Sequence, residues 1–389
     1  MRILVATDHK YFSAGNGVFD TYCFDRSFFD DYRAVFEEVI VAARVIEGEL
    51  PEHARRSDGD GVEFLPLPNA GGIQLTLRSG AIFGPLLEPA IRAADAVCVR
   101  VPSHTGLHAC RIARRIGRPV MFEMIGDPEA ALQAGQHGLL ASLAGKWSAM
   151  NMRTIPPACV VGSYVSREHL QRKYPAGPRT VTDSISSIRL PRSWLQPART
   201  YEAPCRPLEL VLVASLVPVK CHDVLLRGVA EATRLGADLR LRLAGDGALR
   251  GSLEALAADL GIADRVEFLG HLSDREELLR LLDSSHLFVM TSATEGMPRA
   301  MIEAMSRGLP ALGSDVGGIA ELLPVDQRFP AGDFARLGQM IRELQDRPDL
   351  LSQYSERSAR SSEDYVSDVL SEKRRRLLGL LRQAAEERR

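Results

Sequence analysis

Thr291-Ser292-Ala293-Thr294-Glu295-Gly296-Met297-Pro298-Arg299-Ala300-Met301-Ile302-Glu303-Ala304-Met305 is the stretch whose reading decides the fold. Two carboxylates flank a turn that opens a helix, so Glu295 points from a loop while Glu303 sits one turn in. Pro298 suits the first helical position because its missing N–H would be unpaired there, and the apolar run Ala300, Met301, Ile302, Ala304, Met305 continues the helix. The exposed amides from Met297 to Met301 then form an anion site, with Gly296 leaving the backbone open beside it. Glu303 can grip hydroxyls at one end of a phosphate-bearing ligand and Glu295 at the other.

Outward from this segment the chain alternates short β-rich runs with helical periodicity. Residues 3–6, 38–42, 96–101, 119–124 and 158–162 read as strands, and residues 209–214, 240–244, 266–269, 287–290 and 310–313 repeat the rhythm. Leu249, Leu253, Leu256 and Leu260 are spaced for one helix face. Such alternation predicts α/β construction with parallel sheets and ligands at the carboxyl ends of the strands. The Pro- and Arg-rich stretch 191–207 lacks periodicity and reads as a linker between a domain over 1–190 and another over 208–364. Residues 365–389, with Val366, Val369, Leu370, Leu377, Leu378 and Leu381 among Lys373 to Arg376, read as a final helix. Its mixed face suits packing on the first domain, and a basic amphipathic helix also suits a membrane surface.

Composition sets the bounds. The 389 residues exceed the usual single-core limit, and 45% apolar with 25% charged residues is ordinary for a globular protein. The formal net charge of −2 gives no basic domain for a nucleic-acid partner. Six cysteines are scattered without a CxxC pair, which reads as reduced thiols in a cytoplasmic protein with no metal site. Met1 to Asp8 is a strand running into a polar loop rather than a signal peptide, and no apolar run approaches the roughly 18 residues of a membrane span. Asp58-Gly59-Asp60 reads as a turn.

The 291–305 segment, continued through Ser306-Arg307-Gly308-Leu309-Pro310 and Ser314-Asp315-Val316-Gly317-Gly318-Ile319-Ala320-Glu321-Leu322, resembles the Glu-x7-Glu signature of the family-4 retaining glycosyltransferases. The resemblance implies the GT-B architecture, two Rossmann-like domains facing each other across a cleft. It implies transfer of a hexosyl or N-acetylhexosaminyl group from a nucleoside-diphosphate sugar, UDP-linked by preference, with the nucleotide sugar as cosubstrate and no further cofactor. The acceptor is a sugar, a lipid-linked intermediate or a small molecule, and peripheral membrane contact fits the lipid-linked case. Retention in that family is described as front-face displacement without a protein nucleophile. Glu295 would then hold sugar hydroxyls, Glu303 the ribose, and Lys220 with the 297–301 amides the leaving diphosphate, in place of a divalent metal.

Other elements follow in the family's order. Leu210 to Lys220 is a strand, a loop and a cation before a helix, and is similar to the family's Gly-Arg-Leu…Lys-Gly element. Lys220 matches; Ser215 stands where the arginine is expected and Cys221 where the glycine is, which turns attention to Arg299 as a second cation. Leu243-Ala244-Gly245-Asp246-Gly247 and Val266-Glu267-Phe268-Leu269-Gly270-His271 resemble the nucleotide-binding edge, with Phe268 and His271 as positional markers. In the first half, His9 and the Gly15 to Gly17 segment follow the first strand where the family carries a glycine loop. His104 follows another strand. Ile125 occupies the position of a family histidine that contacts the donor sugar, leaving Glu123 or Asp127 to supply a polar contact. Ser215 and Ile125 motivate the alternative of a catalytically silent protein that binds a nucleotide sugar.

Overall fold

The computed structural model describes residues 1–389 apart from 22–23, 51–53, 70–71, 128, 130–145 and 148, with backbone only for 72–77. The chain divides into two compact units, residues 1–186 with 370–389 and residues 187–369.

The first unit is built on a parallel sheet of β5 (Val62–Leu67), β3 (Glu38–Glu47), β1 (Arg2–Ala14), β6 (Ala96–Val101), β7 (Val120–Met124), β8 (Val161–Tyr164) and β9 (Val181–Ser184), in that spatial order. Strands β6 and β7 are buried at every position, apolar except for the facing Arg100 and Glu123, as central strands of a sheet covered on both faces must be. The described helices are α1 (Asp30–Arg33), α2 (Gly72–Ala93), α3 (His104–Arg115) and α4 (His169–Lys173). Strand β1 does not end in a polar loop after Ala6. It runs on to Ala14 and turns at Gly15-Asn16 into antiparallel β2 (Gly17–Asp20), which pairs β4 (Arg55–Arg56). Ala14 opposite Gly17 leaves a two-residue hairpin, and Gly15, at φ +57°, supplies the left-handed turn. Asp58 pairs with Arg56 at 2.8 Å and Asp60 lies toward Arg26, around a bridge between Gly59 and Val62.

The second unit has an all-parallel sheet in the order β12 (Val266–Gly270), β11 (Leu239–Ala244), β10 (Leu208–Val213), β13 (Leu287–Met290), β14 (Ala311–Ser314), β15 (Arg328–Phe329). The described helices of this unit are α5 (His222–Arg234), α6 (Arg250–Asp259), α7 (Arg275–Asp283), α8 (Arg299–Ser306), α9 (Gly317–Leu322), α10 (Phe334–Gln345) and α11 (Pro348–Ser362). Spatial order 3-2-1-4-5-6 places the switch point beside β10, where the carboxyl ends of β10 and β13 diverge into loops. The 191–207 stretch belongs to this unit. Arg199 donates to the carbonyls of Leu282, Ser285 and Arg307, and Gly308 lies against the Pro197 carbonyl.

Helix α12 (Ser367–Glu386) begins in the second unit and from Leu370 belongs to the first. Leu370, Leu377, Leu378 and Leu381 are buried. Between them Arg374 carries charge into the interior: it reaches Asp31 at 3.0 Å and Glu123 at 3.5 Å, while Glu123 also faces Arg100 at 3.2 Å and accepts from the Tyr32 hydroxyl at 2.7 Å. The Arg100 guanidinium lies over the Phe24 and Phe28 rings, at 4.5 and 4.7 Å from their centroids. A charge this deep persists only when paired and hydrogen-bonded.

Candidate active site

Every motif of the second half comes together at the carboxyl edge of one sheet. Strand β10 leads through exposed Ser215 into a single 3-10 turn, Pro218–Lys220, and then into α5. Cys221 between them is left-handed at φ 48°, the conformation for which a glycine is the usual solution. The turn is tied to the next strand end: the Thr291 hydroxyl donates to the carbonyls of Lys220 and Cys221 at 3.1 and 2.9 Å, and the Ala293 amide donates to Val219 at 2.9 Å. Lys220 therefore stands at the mouth of α5 on a braced loop.

Glu295 meets it there. Its Oε1 lies 2.5 Å from Lys220 Nζ and accepts the Ser292 hydroxyl at 2.7 Å, with only 11% of the carboxylate side chain exposed. The loop carrying Glu295 rests on the start of α9. The Gly318 amide donates to the Glu295 carbonyl at 3.1 Å, and a Cβ on Gly317 or Gly318 would lie 2.1 Å from the carbonyl oxygen of Glu295 or Gly296. The Asp-Val-Gly-Gly turn is thus the seat of the Glu295 loop, and only glycine admits that approach.

Pro298 is one step earlier than its sequence reading. It caps α8 in an extended conformation (φ −77°, ψ 99°), and the helix starts at Arg299. The amides of Arg299, Ala300 and Met301 form its open first turn. Gly296 and Met297 are half-buried, and Met301 is fully buried and holds the helix to the sheet. Glu303 is half-buried one turn in; burial raises its pKa, opposed by Arg299 and Arg275.

The neighbouring strand ends close the edge. The Gly245 amide donates to the Gly270 carbonyl at 2.7 Å, and the Leu216 amide donates to Asp246 at 2.9 Å. A Cβ on Gly245 would meet the Ala214 carbonyl at 2.0 Å, so glycine lets β10 and β11 emerge side by side. Asp246 and His271 are exposed and Phe268 half-buried, with the Phe268 carbonyl taken by Arg250 at 3.2 Å.

In the first unit the candidate residues scatter. Gly15 and Gly17 belong to a hairpin rather than to the expected glycine loop, and Gly17 lies under the Phe19 ring. His9 holds buried Asp20 at 2.6 Å and meets the rings of Tyr11 and Phe24. His104 opens α3, is buried, and has its pKa lowered mainly by that burial. The first-turn amides of His104 and Thr105 are already taken by the Asp8 carboxylate, at 2.7 and 3.0 Å. Glu123 is 4% exposed and is engaged by Arg100, Arg374 and the Tyr32 hydroxyl within the interior network of the first unit. Asp127, half-buried after β7, accepts Lys173 at 2.6 Å and Tyr174 at 2.5 Å; burial is the largest single influence on its pKa and pushes it up, but these bonds, the Glu129 amide and the Lys173 charge together bring it below the usual value. Ile125 is half-buried at the same strand end.

Sequence reasoning passed over Thr291 and Ser292, although both stand in the segment it quoted; a hydroxyl pair just before a carboxylate loop is the signal they left.

Residues 200–359, less than half of the chain, match the model of the glycosyl transferases group 1. This corrects the family-4 membership that the Glu-x7-Glu segment implied, because the model into which that segment falls is the group 1 one. Protein CapJ of Staphylococcus aureus is 25% identical over 350 residues, covering 88% of this chain and 85% of that protein. A phosphatidylinositol N-acetylglucosaminyltransferase component of Homo sapiens is 30% identical over 162 residues, and the chain covers only 32% of its length. Among solved structures, Anabaena HepE in complex with UDP and glucose superposes with a TM-score of 0.65 at 16% identity, over 96% of this chain and 97% of that one. The sucrose-phosphate synthase of Thermosynechococcus elongatus reaches 0.69 at 15% identity over 99% of both chains. Likeness of this order establishes architecture, and the architecture, two α/β units with Rossmann-like parallel sheets, is the GT-B fold.

Proposed function

We propose that the chain is a metal-independent retaining glycosyltransferase that moves a hexosyl or N-acetylhexosaminyl group from a UDP-sugar to an acceptor hydroxyl. The observation that carries this reading is the Lys220–Glu295 pair at the mouth of α5, beside the open first turn of α8. An ammonium and two helix N-termini suit a diphosphate, and a carboxylate held beside them suits the hydroxyls of the sugar it carries. The group 1 match over this unit, the UDP-bound HepE structure and the N-acetylglucosaminyltransferase relative support the same donor class.

In this reading Lys220 and the amides of 299–301 hold the diphosphate, with Arg299 as a second cation in place of the missing arginine at Ser215. Glu295 holds the sugar and Glu303 the ribose, with the Gly245 and Gly270 strand ends against the base. As the C1–O bond to phosphate breaks, the acceptor oxygen bonds C1 on the same face, and its proton passes to a phosphate oxygen of the leaving UDP. Positive charge fixed in advance at the leaving group is the main contribution the protein makes. His9, His104 and Asp127 are assigned to the acceptor side.

The test is release of UDP from UDP-glucose, UDP-galactose and UDP-N-acetylglucosamine, with GDP-mannose as comparison, read by mass spectrometry with Glu295→Ala as control. Release from one UDP-sugar that disappears in the variant supports the reading; release from GDP-mannose alone overturns the donor class. Ser215, exposed and uncharged where a cation is expected, favours one second reading, a silent nucleotide-sugar binder. Calorimetric binding without any release would select it.

A further inference from the structure

We infer, building on the proposed role of Glu295 at the sugar, that Ser292 is a positioning residue: its hydroxyl fixes which oxygen of Glu295 the donor sugar meets, and Ser314 acts through it. Strands β13 and β14 run in register up to Met290 and Gly313, and each gives way to hydroxyl residues there, Thr291 and Ser292 after β13 and Ser314 as the last residue of β14. Thr291, Ser292 and Ser314 are buried, at 1%, 0% and 0% exposure. A hydroxyl that deep needs a partner, and each has a different one. Thr291 donates to the Lys220 and Cys221 carbonyls at 3.1 and 2.9 Å, and Ser314 donates to the Ser292 carbonyl at 2.6 Å. Ser292 alone of the three donates to a carboxylate, Glu295 Oε1 at 2.7 Å.

A serine that only filled the interior would be satisfied by a carbonyl; an ionised acceptor makes the stronger and more directional bond. Lys220 meets the same oxygen at 2.5 Å, and among the described residues Oε2 of Glu295 accepts no hydrogen bond. Oε1 is therefore the held oxygen and Oε2 the one left for a ligand. The two holds on Oε1 respond differently to a donor. A diphosphate draws the ammonium toward itself, whereas the Ser292 hydroxyl is shut off from solvent and keeps its bond. The Gly318 amide fixes the Glu295 main chain at 3.1 Å but leaves the side chain its rotations, and these Ser292 removes. Ser314, bonded to the Ser292 carbonyl, keeps the backbone from which that hydroxyl is aimed. Epimeric sugars differ in the direction of one hydroxyl, so a fixed acceptor oxygen discriminates between them and a turning one does not. Two adjacent hydroxyls thus divide the site: Thr291 braces the cation that serves the diphosphate, and Ser292 the carboxylate that serves the sugar.

The experiment compares Ser292→Ala, Ser292→Thr and Thr291→Ala with the unsubstituted full chain. It reads UDP affinity by calorimetry, UDP release at steady state from the accepted UDP-sugar and from its epimer at C4, and thermal melting. Ser292→Ala should lower kcat by about tenfold or more, leave UDP affinity within about threefold, and narrow the ratio of kcat/KM between the two epimers. Ser292→Thr, which keeps the hydroxyl, should recover most of that loss. Thr291→Ala should show the opposite pattern, UDP bound about tenfold more weakly with the epimer ratio unchanged. Unchanged turnover or an unchanged epimer ratio in Ser292→Ala, the same pattern of losses in both alanine variants, or no recovery in Ser292→Thr at an unchanged melting temperature would overturn the assignment. Failure of the donor reading itself looks different: the unsubstituted chain then releases UDP from no sugar, and the role of Ser292 falls with it.

Discussion

The Lys220 ammonium lies 2.5 Å from Glu295 Oε1, so without a donor the two charges that would divide a nucleotide sugar between them neutralise each other. A diphosphate must compete for the ammonium, and the two residues are expected to fail differently. Lys220→Ala should weaken UDP binding by about 10- to 100-fold, the worth of a charge-assisted contact, and lower turnover as well. Glu295→Gln should leave UDP affinity unchanged or improved while turnover falls by a hundredfold or more. Calorimetry with UDP beside steady-state kinetics separates them; equal loss of UDP affinity in both would remove Glu295 from the sugar.

Gly318 controls the same carboxylate from beneath. A methyl there would sit 2.1 Å from the Gly296 carbonyl, and backbone on both sides leaves nothing soft to yield. Gly318→Ala should displace the 295–297 loop and lower kcat/KM by at least tenfold, whereas Gly236→Ala, at a solvent-open turn, should cost stability only. Kinetics and thermal melting of the two variants side by side make the comparison.

Glu303 should show a conflict between binding and stability. Burial raises its pKa, so the folded chain favours the neutral acid more than the unfolded chain does. Its contribution to stability is then present at acid pH and lost as pH rises from the unfolded carboxylate value through the raised one. Glu303→Gln, uncharged at every pH, should melt higher than the unsubstituted chain at pH 8, with the gap closing toward pH 4. It should bind UDP about tenfold more weakly, because ribose hydroxyls lose a charged acceptor.

The helix that joins the first unit from the far end of the chain is held by an ion network whose members should couple. Arg374→Met leaves Glu123 and Asp31 short of a cation in the interior, and about 3 kcal/mol of stability should be lost. Glu123→Gln should cost less, since Arg374 keeps Asp31. The double variant should cost clearly less than the sum, as expected for residues in contact. Additive losses in urea melts would show that the two charges do not act as one unit.

The second unit was the more legible in sequence because its chemistry is local. A buried strand, a short loop and a helix start recur at β10, β11 and β13, and Glu295, Lys220 and Gly245 each stand within a few residues of a strand end. The first unit resisted for the opposite reason. Its strand β1 reads as apolar only to Ala6, yet Tyr11 is buried and pairs with β3 after a register shift, and the pairing overrides the polar signal of His9 and Lys10. Glu123 resisted because its partners Tyr32, Arg100 and Arg374 are 91, 23 and 251 positions away, and no local pattern encodes such a contact. Short strands such as β9 and β15 exist by tertiary pairing and carry little periodicity of their own.

His222, the first residue of α5, gives the most direct pH signature. Its side chain is buried, both ring nitrogens lack a hydrogen-bond partner among the described residues, and its pKa is lowered to about 4, chiefly by burial and then by the Lys220 charge. A depressed histidine pKa means that the unfolded chain takes up a proton below about 6.5 while the folded chain does not. Stability should therefore be full above that value and fall as pH drops toward 4, by at most about 3 kcal/mol from this group. His222→Leu fills the same apolar site without a proton to bind, so its melting curve should be flatter over that interval than that of the unsubstituted chain, with the two curves converging or crossing on the acid side. Parallel pH dependences of the two melts would show that the imidazole is not held neutral, and that acid acts on the second unit through its carboxylates instead.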